Sequence, residues 1–184
     1  SFAAKAGSSA TAGDVMTPDH VAKLRAASEA AISPDGKHIA WTRSVPRDPR
    51  AKGDGTPFKE LYVATGKTSR PYVHGKTSVS HVRWTKDSEN IAFLSKRGGD
   101  KTAAIWSIPV RGGEASKRLT TKGGLRTFAL HPDGTTVLYV GKDEAAKDDK
   151  KRDAHGFNQN VVEEQDRPWQ VFQHKLTPLG SEFD

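Results

Sequence analysis

The sequence predicts an all-β fold made of repeated four-stranded sheets, and two observations carry that prediction. First, three segments align without gaps: "AISPDGKHIAW" at 31–41, "RWTKDSENIAF" at 83–93 and "ALHPDGTTVLY" at 129–139. Each is an apolar residue, a tight turn and a short alternating run, the pattern of a hairpin between half-buried strands. Second, equivalent positions are offset by 52 residues from the first copy to the second and by 46 from the second to the third. A β-type unit recurring about every fifty residues is the signature of a propeller, with one blade per repeat.

The turn explains its own residues. Pro34 and Pro132 pre-set φ at the first turn position, Asp35, Asp87 and Asp133 cap the turn with a carboxylate, and Gly36 and Gly134 accept positive φ. These residues are expected to be structural. After the turn, Ile39 and Trp41 share one face of a strand while Ala40 and Thr42 share the other. The aromatic that ends each run (Trp41, Phe93, Tyr139) is expected to fill the space between neighbouring blades. A propeller sheet buries its faces only against its neighbours.

The remaining strands follow in order. Blade one, over 28–75, reads as strands near 28–33, 38–44, 60–65 and 69–73. Blade two, over 76–122, reads near 78–84, 90–96, 103–110 and 115–120. Blade three, over 123–184, begins near 126–131 and 136–141, and "WQVFQHKL" at 169–176 supplies its third strand. No counterpart of the closing "KRLT" follows, so blade three reads as incomplete. Two complete blades and part of a third do not close a ring of four to eight. The chain therefore reads as a partial propeller, preceded by a disordered or processed lead over 1–14 and a short helical or coil lead-in over 15–27.

Composition narrows the function. The chain has 184 residues and no cysteine, which excludes disulfides and thiolate metal sites. No apolar run approaches the length that spans a bilayer. The start "SFAAKAGSSATAG" lacks an apolar core and is not an intact signal peptide. It suits a processed leader of a periplasmic or secreted protein and equally a cytoplasmic terminus. The net charge of +7 raises nucleic acid as a partner, but the most charged stretch, "KDEAAKDDKKRD" at 142–153, balances five basic against five acidic residues. It reads as a solvated insertion over 142–167, and no nucleic-acid or membrane partner is expected.

The run "MTPDHVAKLRAASEAAISPDGKHIAWTR" at 16–43 resembles the start of bacterial peptidases of the prolyl oligopeptidase family, including acylaminoacyl-peptidase-like and dipeptidyl-peptidase-like members. In them a Thr-Pro-acidic start leads into a first blade carrying Ser-Pro-Asp-Gly. "VRWTKDSENIAFLSKR" (82–97), "IWSIPVRGGEASKRLTTKGGLRTFALHPDG" (105–134) and "GFNQNVVEEQDRPWQVFQHKL" (156–176) are similar to their second and third blades. The resemblance implies a serine peptidase whose propeller screens substrates by size. It admits short peptides to a Ser-Asp-His triad in a C-terminal α/β-hydrolase domain. The nucleophile of such a domain sits in Gly-x-Ser-x-Gly, and this sequence contains no such pattern. The chain alone is expected to be inactive, its partners being the missing domain and the remaining blades or another copy of itself. Pro-Asp-Gly repeats also occur in TolB-type propellers, so a non-enzymatic protein-binding module is the alternative.

Candidate site residues are few. Glu163 and Glu164 form an acidic pair; the resemblance implies a role in holding a substrate amino terminus, and the plain alternative is a solvated hairpin edge. Arg167, before Pro168 and Trp169, could pair with a substrate carboxylate or lie on the surface. The seven histidines show no short metal-ligand spacing, and no metal or cofactor is expected. "GKT" at 66–68 and 75–77 lacks the upstream glycine of a phosphate loop, Leu61 and Arg70 standing in its place. The Pro- and Gly-rich insertion at 44–60 is too long for a tight hairpin and reads as a surface loop or a rim element over the entrance.

Overall fold

A computed structural model describes residues 16–17, 20, 23–47, 55–142 and 168–176. Within 15–27, His20 N donates to Thr17 O and Lys23 N donates to His20 O. The described chain is all β. The first sheet holds β1 (Ala27–Ile32), β2 (His38–Val45), β3 (Phe58–Thr65) and β4 (Thr68–Val73). The second holds β5 (Val79–Trp84), β6 (Asn90–Ser95), β7 (Ala104–Pro109) and β8 (Ser116–Leu119). The third holds β9 (Leu125–Leu130), β10 (Thr136–Gly141) and β11 (Gln170–Lys175). Every sheet is an antiparallel meander with its strands in chain order. These are blades of a β-propeller.

The repeat extends to irregularities that the alignment does not display. Each first strand carries one extra residue against its partner: at 28–29 in β1, at 81–82 in β5 and at 126 in β9. Each complete fourth strand carries another, at Tyr72 and at Arg118. A bulge bends a strand and increases its twist. The bulges thus twist the sheets at matching points. First strands lie side by side, β1 by β5 and β5 by β9, which places them on the inner side of the arc.

Packing gives the blades a direction. All six residues of β6 are buried, because the second sheet is covered on both faces. Ile91 and Phe93 face the first sheet, in a core with Ala40, Leu61 and Val63. Ala92, Leu94 and Ile105 face the third, in a core with Leu125, Phe128 and Val137. Fully burying a side chain such as Phe93 stabilises by roughly 1.5–3 kcal/mol. β2 is covered on one face only. Ala40 and Thr42 are fully buried while Ile39 on the opposite face is 44% exposed.

The aromatic positions show the same direction. Phe93 is fully buried in the first seam, and Tyr139 packs into the second. Trp41, the equivalent residue of the first blade, points away from the second sheet and stacks on Tyr62, ring centroids 4.9 Å apart. The aromatic of each blade therefore packs toward the blade before it.

Candidate functional site

The inner strands form the surface that would face a propeller's axis, and they are held by polar contacts made across the first seam. Buried Thr42 holds the β1 bulge: its Oγ1 accepts from Glu29 N at 3.1 Å and bonds the Ser28 hydroxyl at 2.8 Å. So anchored, Glu29 reaches the next blade, where its Oε2 accepts from Val82 N at 3.1 Å. That N–H belongs to the β5 bulge, and a backbone donor at a bulge has no ladder partner. Neighbouring His81 has φ of 54°, and its Nδ1 is buried without a partner among the described residues.

The carboxylates of the turn residues fold back locally. Asp35 Oδ1 accepts from the Ser33 hydroxyl at 2.6 Å and from Lys37 N at 3.1 Å. Asp87 accepts from the Thr85 hydroxyl and from Glu89 N at 2.9 Å. Asp133 accepts from Thr135 N, Thr136 N and the Thr136 hydroxyl, at 2.8, 2.8 and 2.6 Å. The Thr136 hydroxyl and these N–H groups hold the Asp133 carboxyl far below the ordinary carboxylate range. Gly36 and Gly134 have φ of 72° and 76°, and Ser88, in the glycine position of the second turn, has 60°. His131 stands in the Ser33 position and accepts from Asp133 N through Nδ1 at 3.2 Å.

A charged cluster lies on the face of blade one that looks away from blade two. Arg43 Nη2 donates to Glu60 Oε2 at 2.9 Å and to the Tyr62 hydroxyl, which donates in turn to Glu60 at 3.2 Å. Gly75 N donates to the other Glu60 oxygen at 3.1 Å. Burial of Glu60 acts to raise its pKa, but Arg43, the Gly75 N–H and Tyr62 outweigh it, and the carboxyl lies below its ordinary value. The equivalent positions of blade two hold Ser95 and Ala104, both buried and small. Sequence reasoning missed this cluster because it placed Glu60 in a loop insertion at 44–60, whereas β2 and β3 extend into that segment, Val45 pairing with Phe58, and this pairing sets Arg43 opposite Glu60.

Among the described residues no group of three or more His, Asp or Glu side chains could hold a metal. Glu163, Glu164 and Arg167 lie outside the described residues. The Gly66 and Gly75 turns both have positive φ and close loops after strands.

No family model matches the chain. An uncharacterised peptidase of Bacillus subtilis, YuxL, is 26% identical over 146 residues, which is 78% of this chain and 22% of that protein. Dipeptidyl-peptidase 5 of Porphyromonas gingivalis is 30% identical over 105 residues, 55% of this chain and 14% of that protein. This chain is similar to the propeller part of prolyl oligopeptidase-type peptidases. A different relative, the periodic tryptophan protein 2 homologue of Neurospora crassa, is 28% identical over 150 residues, 76% of this chain and 16% of that protein. The chain spans about a fifth or less of these curated relatives.

Solved structures agree on the fold. The acylaminoacyl peptidase of Pyrococcus horikoshii superposes with a TM-score of 0.53 at 18% identity, over 70% of this chain and 19% of that one. The isopeptidase AtxE2 gives 0.61 at 17% identity, over 89% and 32%. The β-propeller domain of the trilobed protease of Pyrococcus furiosus gives 0.50 at 18% identity, over 65% and 35%.

Proposed function

We propose that this chain is the substrate-screening propeller segment of a serine peptidase that hydrolyses short peptides. The observation that carries this reading is the 146-residue match to a named peptidase of which the chain spans 22%. Gly-x-Ser-x-Gly is absent from the sequence, which supports a nucleophile outside this chain. There a serine would attack the peptide carbonyl, a histidine would take its proton and an acid would orient the histidine.

The chain's own contribution is mechanical. Cross-seam bonds from Glu29 to β5 and from Trp84 to β1 hold neighbouring inner strands at fixed spacing, so the passage they border admits by size. The bare face of blade one, with Ile39, Trp41 and the Arg43–Glu60 pair, would meet the remaining blades of the parent.

The test is the length dependence of cleavage by the full-length parent. Peptides of increasing length should show a sharp fall in kcat/KM beyond a limiting size. Loosening the first seam by Trp84→Leu should soften that limit without lowering the rate on the shortest substrates. Equal rates on short peptides and on long unfolded chains would overturn the screening role.

A further inference from the structure

Both seams bury the same three positions of the blade that follows. Trp84, Ile91 and Phe93 of blade two enter the first seam, and Leu130, Val137 and Tyr139 of blade three enter the second. They meet the opposite face of the blade before, Ala31 and Ala40 at the first seam, Ala92 and Leu94 at the second. Polar bonds fix the first contact: the Trp84 indole N–H donates to Ala31 O, and Asp35 N donates to the Ser88 hydroxyl at 3.0 Å. One face of each kind is left bare. Blade one carries Ile32, Ile39 and Trp41 at the three entering positions, and Ile32 is 68% exposed. Register sets Ile32 opposite Ile39 and Trp41 opposite Tyr62, on the face of the sheet away from blade two. Blade three carries Ala129, Leu138 and Val140 at the receiving positions. Val171 pairs with Val140 and is 71% exposed. These four side chains border a hollow of about 280 Å³. Arg83 of blade two also lines it, its Nη1 donating to Val82 O at 2.8 Å.

We propose that blade one of this chain docks on blade three of a second copy, so that two chains close a six-bladed ring. Three observations name a second copy as the occupant. First, the bare faces are the two halves of one seam, and both belong to this chain. Second, their bulk is complementary. At the first seam the large Trp84 meets the small Ala31 and shares a core with Ala40. Between copies the smaller Ile32 takes the place of Trp84 and Leu138 takes that of Ala40, so volume passes from one wall to the other, the kind of exchange that apolar cores tolerate best. Third, the ion pair on the docking face is internally balanced: Arg43 Nη2 lies 2.9 Å from Glu60 Oε2, so covering it leaves no charge without its partner. The first strands lie side by side at both seams, so the blades turn the same way, and three from each copy make six, within the four to eight of closed propellers. Each contact is heterologous, blade one on blade three, and the ring returns to its start after two copies. The inference rests on the repeat and not on the peptidase reading. In a parent with further blades, those blades would hold the same two faces.

The test is sedimentation equilibrium of this chain together with thiol cross-linking. The unaltered chain should have the mass of two copies. Leu138→Asp places a carboxylate on the docking face, outside the chain's own cores, and should halve that mass. The sequence has no cysteine, so an introduced thiol is unique. Ile32→Cys mixed with Ala129→Cys should give a linked pair with a short bismaleimide, and neither variant should do so alone. A monomeric unaltered chain overturns the proposal, and so does a series of masses beyond two copies. Linkage of Ile32→Cys to itself, or a Leu138→Asp chain that keeps the mass of two, assigns the pairing to another surface and overturns it as well. None of these outcomes alters serine labelling or length-dependent cleavage by the parent, so failure here is distinct from failure of the peptidase reading.

Discussion

The indole N–H of Trp84 donates to the carbonyl of Ala31 at 2.8 Å, joining the last residue of one inner strand to the strand of the blade before it. Fifty-three residues separate the partners, so the bond reports blade stacking and nothing local. Trp84→Leu should remove the bond and leave a cavity, costing about 3 kcal/mol by comparison with other large-to-small core changes. Urea unfolding would show it as a lower midpoint at unchanged slope, and an unaltered midpoint would refute the role given to this seam.

The hairpin turns make a backbone prediction. Gly36 has φ of 72°, and a Cβ added there meets nothing within 4 Å. Gly36→Ala should therefore destabilise through backbone conformation alone, by about 1 kcal/mol. Ser88→Ala should cost a similar amount for a different reason, the loss of the acceptor for Asp35 N. Calorimetry on the two single variants and the double tests both; a cost well above their sum would place the two turns in one coupled unit.

Acid sensitivity follows from the capping carboxylates. The Thr136 hydroxyl and the N–H groups of Thr136 and Thr135 lower the Asp133 pKa from 3.8, and the Ser33 hydroxyl and Lys37 N–H lower that of Asp35. A group with a depressed folded pKa contributes stability that is present above its unfolded pKa and lost as pH falls through the folded one. Stability should be level above about pH 5 and decline below about pH 4. Asp133→Asn should flatten that decline, and denaturant midpoints between pH 2 and 7 would reveal an identical slope if Asp133 has no part in it.

The Arg43–Glu60 pair is partly buried, with side chains 26% and 12% exposed. Glu60→Gln leaves a half-buried guanidinium without its counter-charge and should cost about 1–2 kcal/mol. Arg43→Met combined with Glu60→Leu should recover most of it, since an apolar pair removes both desolvation penalties. A double-mutant cycle with no coupling would show that the pair contributes only separately.

Strand positions were legible because Pro-Asp-Gly turns and alternating runs are local. The turn before β2 needs only Ser33, Asp35, Gly36 and their neighbours, all within a few residues. The seams were less legible. The alignment put Trp41, Phe93 and Tyr139 at one position, but a linear repeat does not say which neighbour that position faces. Trp41 faces away from blade two, which follows only from the burial of Ala40, on the opposite face of β2, against Ile91 and Phe93. Trp84 and Glu29 gave no signal because their partners lie in another blade, and the bulge that aims Glu29 has no sequence signature here. The Glu163, Glu164 and Arg167 candidates fall outside the described residues.

The central proposal is that this chain is the propeller part of a serine peptidase whose chemistry lies elsewhere in the parent. A serine-directed fluorophosphonate applied to the full-length parent and to this chain tests it most directly. The account predicts stoichiometric labelling of the parent, lost when the serine of its Gly-x-Ser-x-Gly elbow is changed to alanine, and no labelling of this chain. Labelling of this chain, or a parent that contains no reactive serine, would contradict it.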